Sequence, residues 1–158
     1  MWCWAASAAM IFTMHGHPVE QARIVEAVFG APACVPSGNT LNIAEVLSSS
    51  WVDDNGREFQ STVTGAYDPT NGVYAMNNNF IAEELSQNRP LLYCNTHHAM
   101  VVADMMFYQT PMGPNVQRVD VLDPWPYSPN VHPLTMPEMI PANAGGQMMF
   151  LASVEVTS

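Results

Sequence analysis

The chain reads as an α+β protein in which an N-terminal helical lobe packs against a twisted, mainly antiparallel β-sheet. Helical spacing of apolar residues, punctuated by Gly and Pro, runs through the first third of the sequence. Beyond Pro90 the pattern changes to runs of β-branched and bulky residues separated by Pro/Gly/Asn loops. Helices first and strands afterwards is the order of an α+β fold. A length of 158 residues suits one domain with a single core, so residues 1–158 are taken as one unit. The sequence holds no internal repeat and no low-complexity segment.

Residues 3 to 14 are apolar on every face, which predicts a helix buried all round, with its alanines permitting close approach by neighbours. His15-Gly16-His17 breaks it, and charge on the two histidines would suit the helix C-terminus. Pro18 is placed as the first residue of a second helix, with Val19, Ala22, Ile24, Val25 and Val28 on its apolar face and Gly30 at its end. Ala31 to Asn39, with two prolines and a glycine, reads as a loop. Thr40 is a candidate cap for a third helix carrying Leu41, Ile43, Ala44, Val46 and Leu47.

Asp53-Asp54-Asn55-Gly56 is a turn signal, and alternation around Phe59, Thr62 and Val63 suggests a strand. Asn77 or Asn78 can cap a short helix through Phe80, Ile81 and Leu85, which Pro90 ends. Four strands follow: Leu91 to Tyr93, Ala99 to Phe107, Val116 to Leu122 and Met148 to Val156.

The formal charge is −10, with no lysine and only Arg23, Arg57, Arg89 and Arg118 as fixed cations. Nucleic acid and anionic membrane surfaces are therefore excluded as partners, because both require clustered Lys and Arg. No apolar run reaches the length of a membrane-spanning helix. Trp2 to Met14 is apolar enough for a signal-peptide core, but no basic region precedes it, so Met1 is expected to open inside a longer domain that lacks its native N-terminal segment.

Three stretches carry chemistry. The first is Trp2-Cys3-Trp4-Ala5-Ala6, a thiol at the opening turn of the first helix, where unpaired amides and the helix dipole favour a thiolate. The second is Asn95-Thr96-His97-His98-Ala99-Met100-Val101-Val102, a histidine pair at the mouth of an apolar strand. Successive strand residues point to opposite faces, so one histidine of the pair faces any cleft. The third is Val121-Leu122-Asp123-Pro124-Trp125, where Asp123 closes a strand and Pro124 turns the chain out of the sheet. Hairpin pairing of neighbouring strands would bring Asp123 beside His98, where a carboxylate can fix the imidazole tautomer.

These motifs, in the order Cys, His, Asp and on a helix followed by a sheet, resemble the compact bacterial type of papain-like cysteine peptidase, including its secreted and effector forms. The resemblance spans nearly the whole chain, although its specific part is the three short motifs. It implies Cys3 as nucleophile, His98 as general base and acid, and Asp123 as the orienting member. His98 is preferred to His97 because it directly precedes the Ala-apolar-Val-Val run. His97 is then exposed or structural.

The resemblance further implies a peptide or protein substrate, no cofactor, no metal, and secretion or delivery by a bacterium. The Cys-to-His interval is shorter than the roughly 130 to 150 residues of papain-type enzymes and fits the compact forms. The family's oxyanion glutamine lies several residues before the cysteine, upstream of where this sequence starts. Two alternatives stay open: a Cys-His amidase acting on peptidoglycan or isopeptide bonds, and a non-catalytic papain-like interaction domain without a complete oxyanion hole.

The other candidates have plainer readings. Cys34 and Cys94 are a buried pair of small hydrophobes or a disulfide. A zinc set of Cys3, Cys94, His97 and His98 lacks the ligand spacing of such sites. Trp125 either shields the His98–Asp123 contact or lids the sheet edge. The scattered methionines are packing, and His132 carries no signal. Substrate-binding residues are not legible.

Overall fold

The computed structural model describes residues 2–30, 40–125 and 130–158. Three helices open the chain: α1 (Cys3–Met14), α2 (Gln21–Phe29) and α3 (Thr40–Leu47). A short β1 (Ser50–Val52) and a long β2 (Glu58–Asp68) follow, then β3 (Val73–Tyr74) and α4 (Asn78–Ser86). The second half holds β4 (Leu91–Asn95), β5 (Ala99–Thr110), β6 (Gly113–Leu122), β7 (Val131–Pro133), the one-turn α5 (Met136–Met139) and β8 (Met148–Thr157). The α+β class and the antiparallel sheet are as the sequence indicates.

The eight strands form one sheet in the order β1-β2-β8-β4-β5-β6-β7, with β3 on β2, and every strand pairing is antiparallel. The last strand therefore inserts between β2 and β4. Strand β2 is far longer than the alternation around Phe59 suggests. Its eleven residues pair along most of β8, with a register shift between Val63 and Gly65.

Burial explains why β4 is an unbroken apolar run. Leu92 and Cys94 point into a core with α1, α2 and α3, whereas Leu91 and Tyr93 point into a second core beneath α4 and α5. A sheet covered on both faces needs apolar residues at every position, not alternate ones. The helical lobe is thus one helical layer of two; the sequence indicates α4 but neither α5 nor the place of both on the opposite face of the sheet.

Helix α1 sits at the centre of the first core. Trp4, Ala5, Ala8, Ile11 and Phe12 are buried, and the helix touches α2, α3, β4 and β5. Phe12 packs edge-on to Phe59 at 5.2 Å between ring centroids and lies 5.7 Å from Trp51. Burying each such side chain is worth about 1.5–3 kcal/mol, which fixes the helix and hence the position of its first residue.

Local details differ from expectation where tertiary contacts compete. Helix α2 begins at Gln21, not Pro18, because the Pro18 carbonyl accepts the Asp54 N–H. Its end is as expected, with Gly30 left-handed at φ 78°. Thr40 lies within α3, and its hydroxyl donates to Asp68. Asn77 caps α4, its side chain accepting the Phe80 N–H. His17 does not serve as a loose helix-end charge: it is buried, stacks on Phe59 and bonds Asp53 Oδ2 through Nδ1 at 2.8 Å. Burial, Arg89 and His17 together lower the pKa of His15, which opposes a charge at the end of α1.

Among the described residues no helix is long and apolar enough to cross a membrane. The reading of residues 31–39 as a loop and the pairing of Cys34 fall outside the described residues; Cys94 is a buried free thiol.

Candidate active site

Cys3 opens α1, His98 immediately precedes β5, and Asp123 immediately follows β6. The β5/β6 register pairs Val101 with Leu122, which carries Asp123 back toward the start of β5. There Asp123 Oδ1 lies 2.5 Å from His98 Nε2. Cys3 lies close enough to the same imidazole for each group to shift the pKa of the other. The three residues that the sequence nominates from separate segments meet in one place, with His98 in the middle.

Each member is held by its own local structure. No side chain caps α1 and no acidic residue lies in its first turn, so nothing anionic competes with the Cys3 sulfur for the first-turn amides. The sulfur interacts with the backbone of Trp4 on its own helix and of Ala99 on the facing strand. His98 is placed by the β4–β5 turn, in which Asn95 Oδ1 accepts the N–H groups of both His97 and His98, at 2.8 and 2.7 Å. The Asn95 amide then donates to Glu138 Oε2 at 3.1 Å. Glu138 is itself fixed by a capping box with Thr135. His97 is exposed and takes no part in the cluster.

Asp123 has more partners than the sequence suggests. Its Oδ1 also accepts the Trp125 N–H at 2.9 Å, and its Oδ2 lies 2.7 Å from His132 Nε2. The Trp125 ring stands edge-on to His98, centroids 6.0 Å apart at 84°. It therefore flanks the imidazole, while its backbone holds the carboxylate. His132, which carries no signal in the sequence, arrives on the edge strand β7, where it pairs with Val121 two residues before Asp123. Only the strand register could have revealed it.

The electrostatics follow from these contacts. Burial pushes the Cys3 thiol up, but the hydrogen bond and charge of His98 and the amides of Ala99 and Trp4 outweigh it and leave the pKa below its ordinary value. The Cys3 contact, opposed by burial and reinforced by Asp123, raises His98 to about 8. Asp123 is pushed up by burial and pulled down further by His98, His132 and the Trp125 amide, so it remains an anion. Cys94 is the contrast: deep burial, with the charges of Cys3 and Asp68, drives its thiol far above the ordinary range. Two thiols in one core thus have opposite character.

Such a cluster can hold a thiolate beside an imidazolium and move a proton from either nitrogen-bound site, the requirements of nucleophilic catalysis. Among the described residues no group of three or more His, Cys, Asp or Glu is arranged to hold a metal ion. Comparison with protein-family models, with curated proteins and with solved structures finds no match to this chain, which leaves the geometry of Cys3, His98 and Asp123 to carry the functional argument.

Proposed function

We propose that the protein is a thiol-dependent hydrolase of peptide bonds, with a papain-like arrangement of a helix-borne cysteine facing a histidine on a sheet. One observation carries the proposal: His98 bonds Asp123 at 2.5 Å and is near enough to Cys3 for each to shift the pKa of the other. A buried cysteine kept for packing needs neither partner, and Cys94 has neither.

The chemistry proceeds by acyl transfer. Cys3 Sγ, as thiolate, attacks the carbonyl carbon of the substrate while His98 carries a proton on Nδ1. That proton passes to the leaving nitrogen, the C–N bond breaks, and an acyl-thioester on Cys3 remains. Water then gives a proton to His98 Nδ1 and attacks the thioester, releasing the carboxylic acid and regenerating the thiolate. The Cys3 amide, in the helix's first turn and without an intrahelical acceptor, is suited to stabilise the oxyanion. Asp123 keeps the imidazole in the tautomer that presents Nδ1 to sulfur. The acidic chain carries few fixed cations, which suits a peptide substrate better than a polyanion.

The test is alkylation by a neutral thiol reagent near pH 7, followed by peptide mapping. Fast modification of Cys3, slowed at least about tenfold in His98→Ala, is the expected result. Equal reactivity of Cys3 and Cys94, or indifference to His98, would overturn the proposal. A broad peptide library then separates a peptidase from an amidase of peptidoglycan or isopeptide bonds.

A further inference from the structure

The His132 side chain presents both ring nitrogens to obligate acceptors. Nε2 lies 2.7 Å from Asp123 Oδ2, and Nδ1 lies 3.1 Å from the Pro133 carbonyl oxygen. A neutral imidazole donates from one nitrogen only, so the other would set a lone pair against an oxygen. Both contacts are satisfied together when the ring is an imidazolium. We propose that His132 is a charged fourth member of the Cys3 site, a positioning residue that braces Asp123 opposite His98 and balances the site's charge.

The charge count gives that role its content. With Cys3 a thiolate and His98 an imidazolium, Asp123 alone would leave the cluster with one excess negative charge. The His132 cation cancels it. Asp123 accepts from His98 and the Trp125 N–H at Oδ1 and from His132 at Oδ2, so both oxygens are anchored and the carboxylate cannot rotate without breaking a charged contact.

Among the described residues, the groups that act on His132 are Asp123 at the end of β6, Glu138 on α5 and, across the shared carboxylate, His98. Burial lowers its pKa, but the bonds to Asp123 and Pro133 and the charges of Asp123 and Glu138 outweigh that and raise it above its ordinary value. When the ring does lose a proton, Nδ1 gives it up, because the bond from Nε2 to the carboxylate is the stronger of the two. Alkali thus removes the charge before it removes the brace.

His132 can act this way only if Cys3 and His98 form the catalytic pair proposed above. Its experiment has two arms on the full chain. Ring nitrogen shifts in the ¹⁵N-labelled protein at pH 7 should report His132 protonated at both nitrogens; a bare nitrogen would overturn the proposal whatever Cys3 does. In His132→Gln, which can keep a donor to Asp123 but loses the cation, the midpoint of Cys3 alkylation by neutral iodoacetamide should move up by about one pH unit, the lower end of a neighbouring-charge effect. A merely structural role would lower Tm and leave the midpoint in place, and that result would also overturn it. Failure of the catalytic pair itself is read separately, in the wild-type chain, as Cys3 reactivity that does not depend on His98.

Discussion

His98 Nε2 and Asp123 Oδ1 stand 2.5 Å apart across the mouth of the β5/β6 hairpin, although the long strands between them run away from the site and back. The hairpin register thus aligns His98 with Asp123, and α1 brings Cys3 to the same imidazole. Loss of Asp123 should release the imidazole rather than unfold the domain. Asp123→Ala is expected to cut peptide hydrolysis by about 100-fold or more, within the range for losing positioned acid–base catalysis, and to lower the His98 titration midpoint. Steady-state rates and histidine NMR on the same variant check both.

The raised pKa of His98 sets where the proposed activity should fail in alkali. The proposed mechanism needs protonated His98, so kcat/KM should fall as pH rises through about 8. The acid limb, where the Cys3 thiolate forms, should lie below the ordinary thiol value of 9.0. The His98 contribution to stability has the same sign: it is complete below the reference value of 6.5 and is lost as pH rises through about 8. In Cys3→Ala, where its largest raising contact is gone, His98 should titrate closer to 6.5 by NMR.

Cys94 should be inert in the folded protein. Its side chain is buried and its pKa is driven up by burial, so the thiolate fraction at pH 8 is negligible. Reagent that modifies Cys3 within minutes should leave Cys94 unmodified until denaturant is added. Mass mapping of the two peptides before and after denaturation reads the outcome.

Asn95 fixes the turn that aims His98. Asn95→Ala removes the acceptor of two backbone N–H groups and the link to Glu138. It is expected to cost about 1–3 kcal/mol of stability and, under the proposed mechanism, to lower kcat because the imidazole loses its aim. Urea unfolding and initial rates measure the two effects.

Glu84 ties α4 to the middle of the sheet. It is buried, pairs with Arg89 through two bonds of 2.9 Å each, and accepts from the Ser153 hydroxyl. Burial pushes its carboxyl up, but Arg89 and Ser153 pull it below the ordinary 4.5. Its stabilisation is therefore present above pH 4.5 and lost as pH falls through the lower folded-state value. Glu84→Gln should destabilise the protein by about 2–3 kcal/mol at pH 7, less than for a fully buried pair because Arg89 is 30 % exposed. The difference from wild type should shrink in acid, as urea melts at pH 7 and pH 3 would show.

By itself the sequence determined the α+β class, the bounds of α1, an asparagine cap for α4 at Asn77 or Asn78, the Gly30 stop, the four main strands of the second half, and Cys3, His98 and Asp123 as the residues to watch. Each is a local signal: an apolar period, a cap, a Pro or Gly boundary, or a polar residue at the end of an apolar run. Tertiary structure alone decided that β8 enters the middle of the sheet, that β4 is covered on both faces, and that His17 is buried against Asp53. Those outcomes depend on which segments pair across long separations, and no window of sequence records pairing. His132 is the clearest case. Between Val131 and Pro133 it resembles an ordinary edge-strand residue, and it acquires meaning only when the β6/β7 register sets its ring against the second oxygen of Asp123.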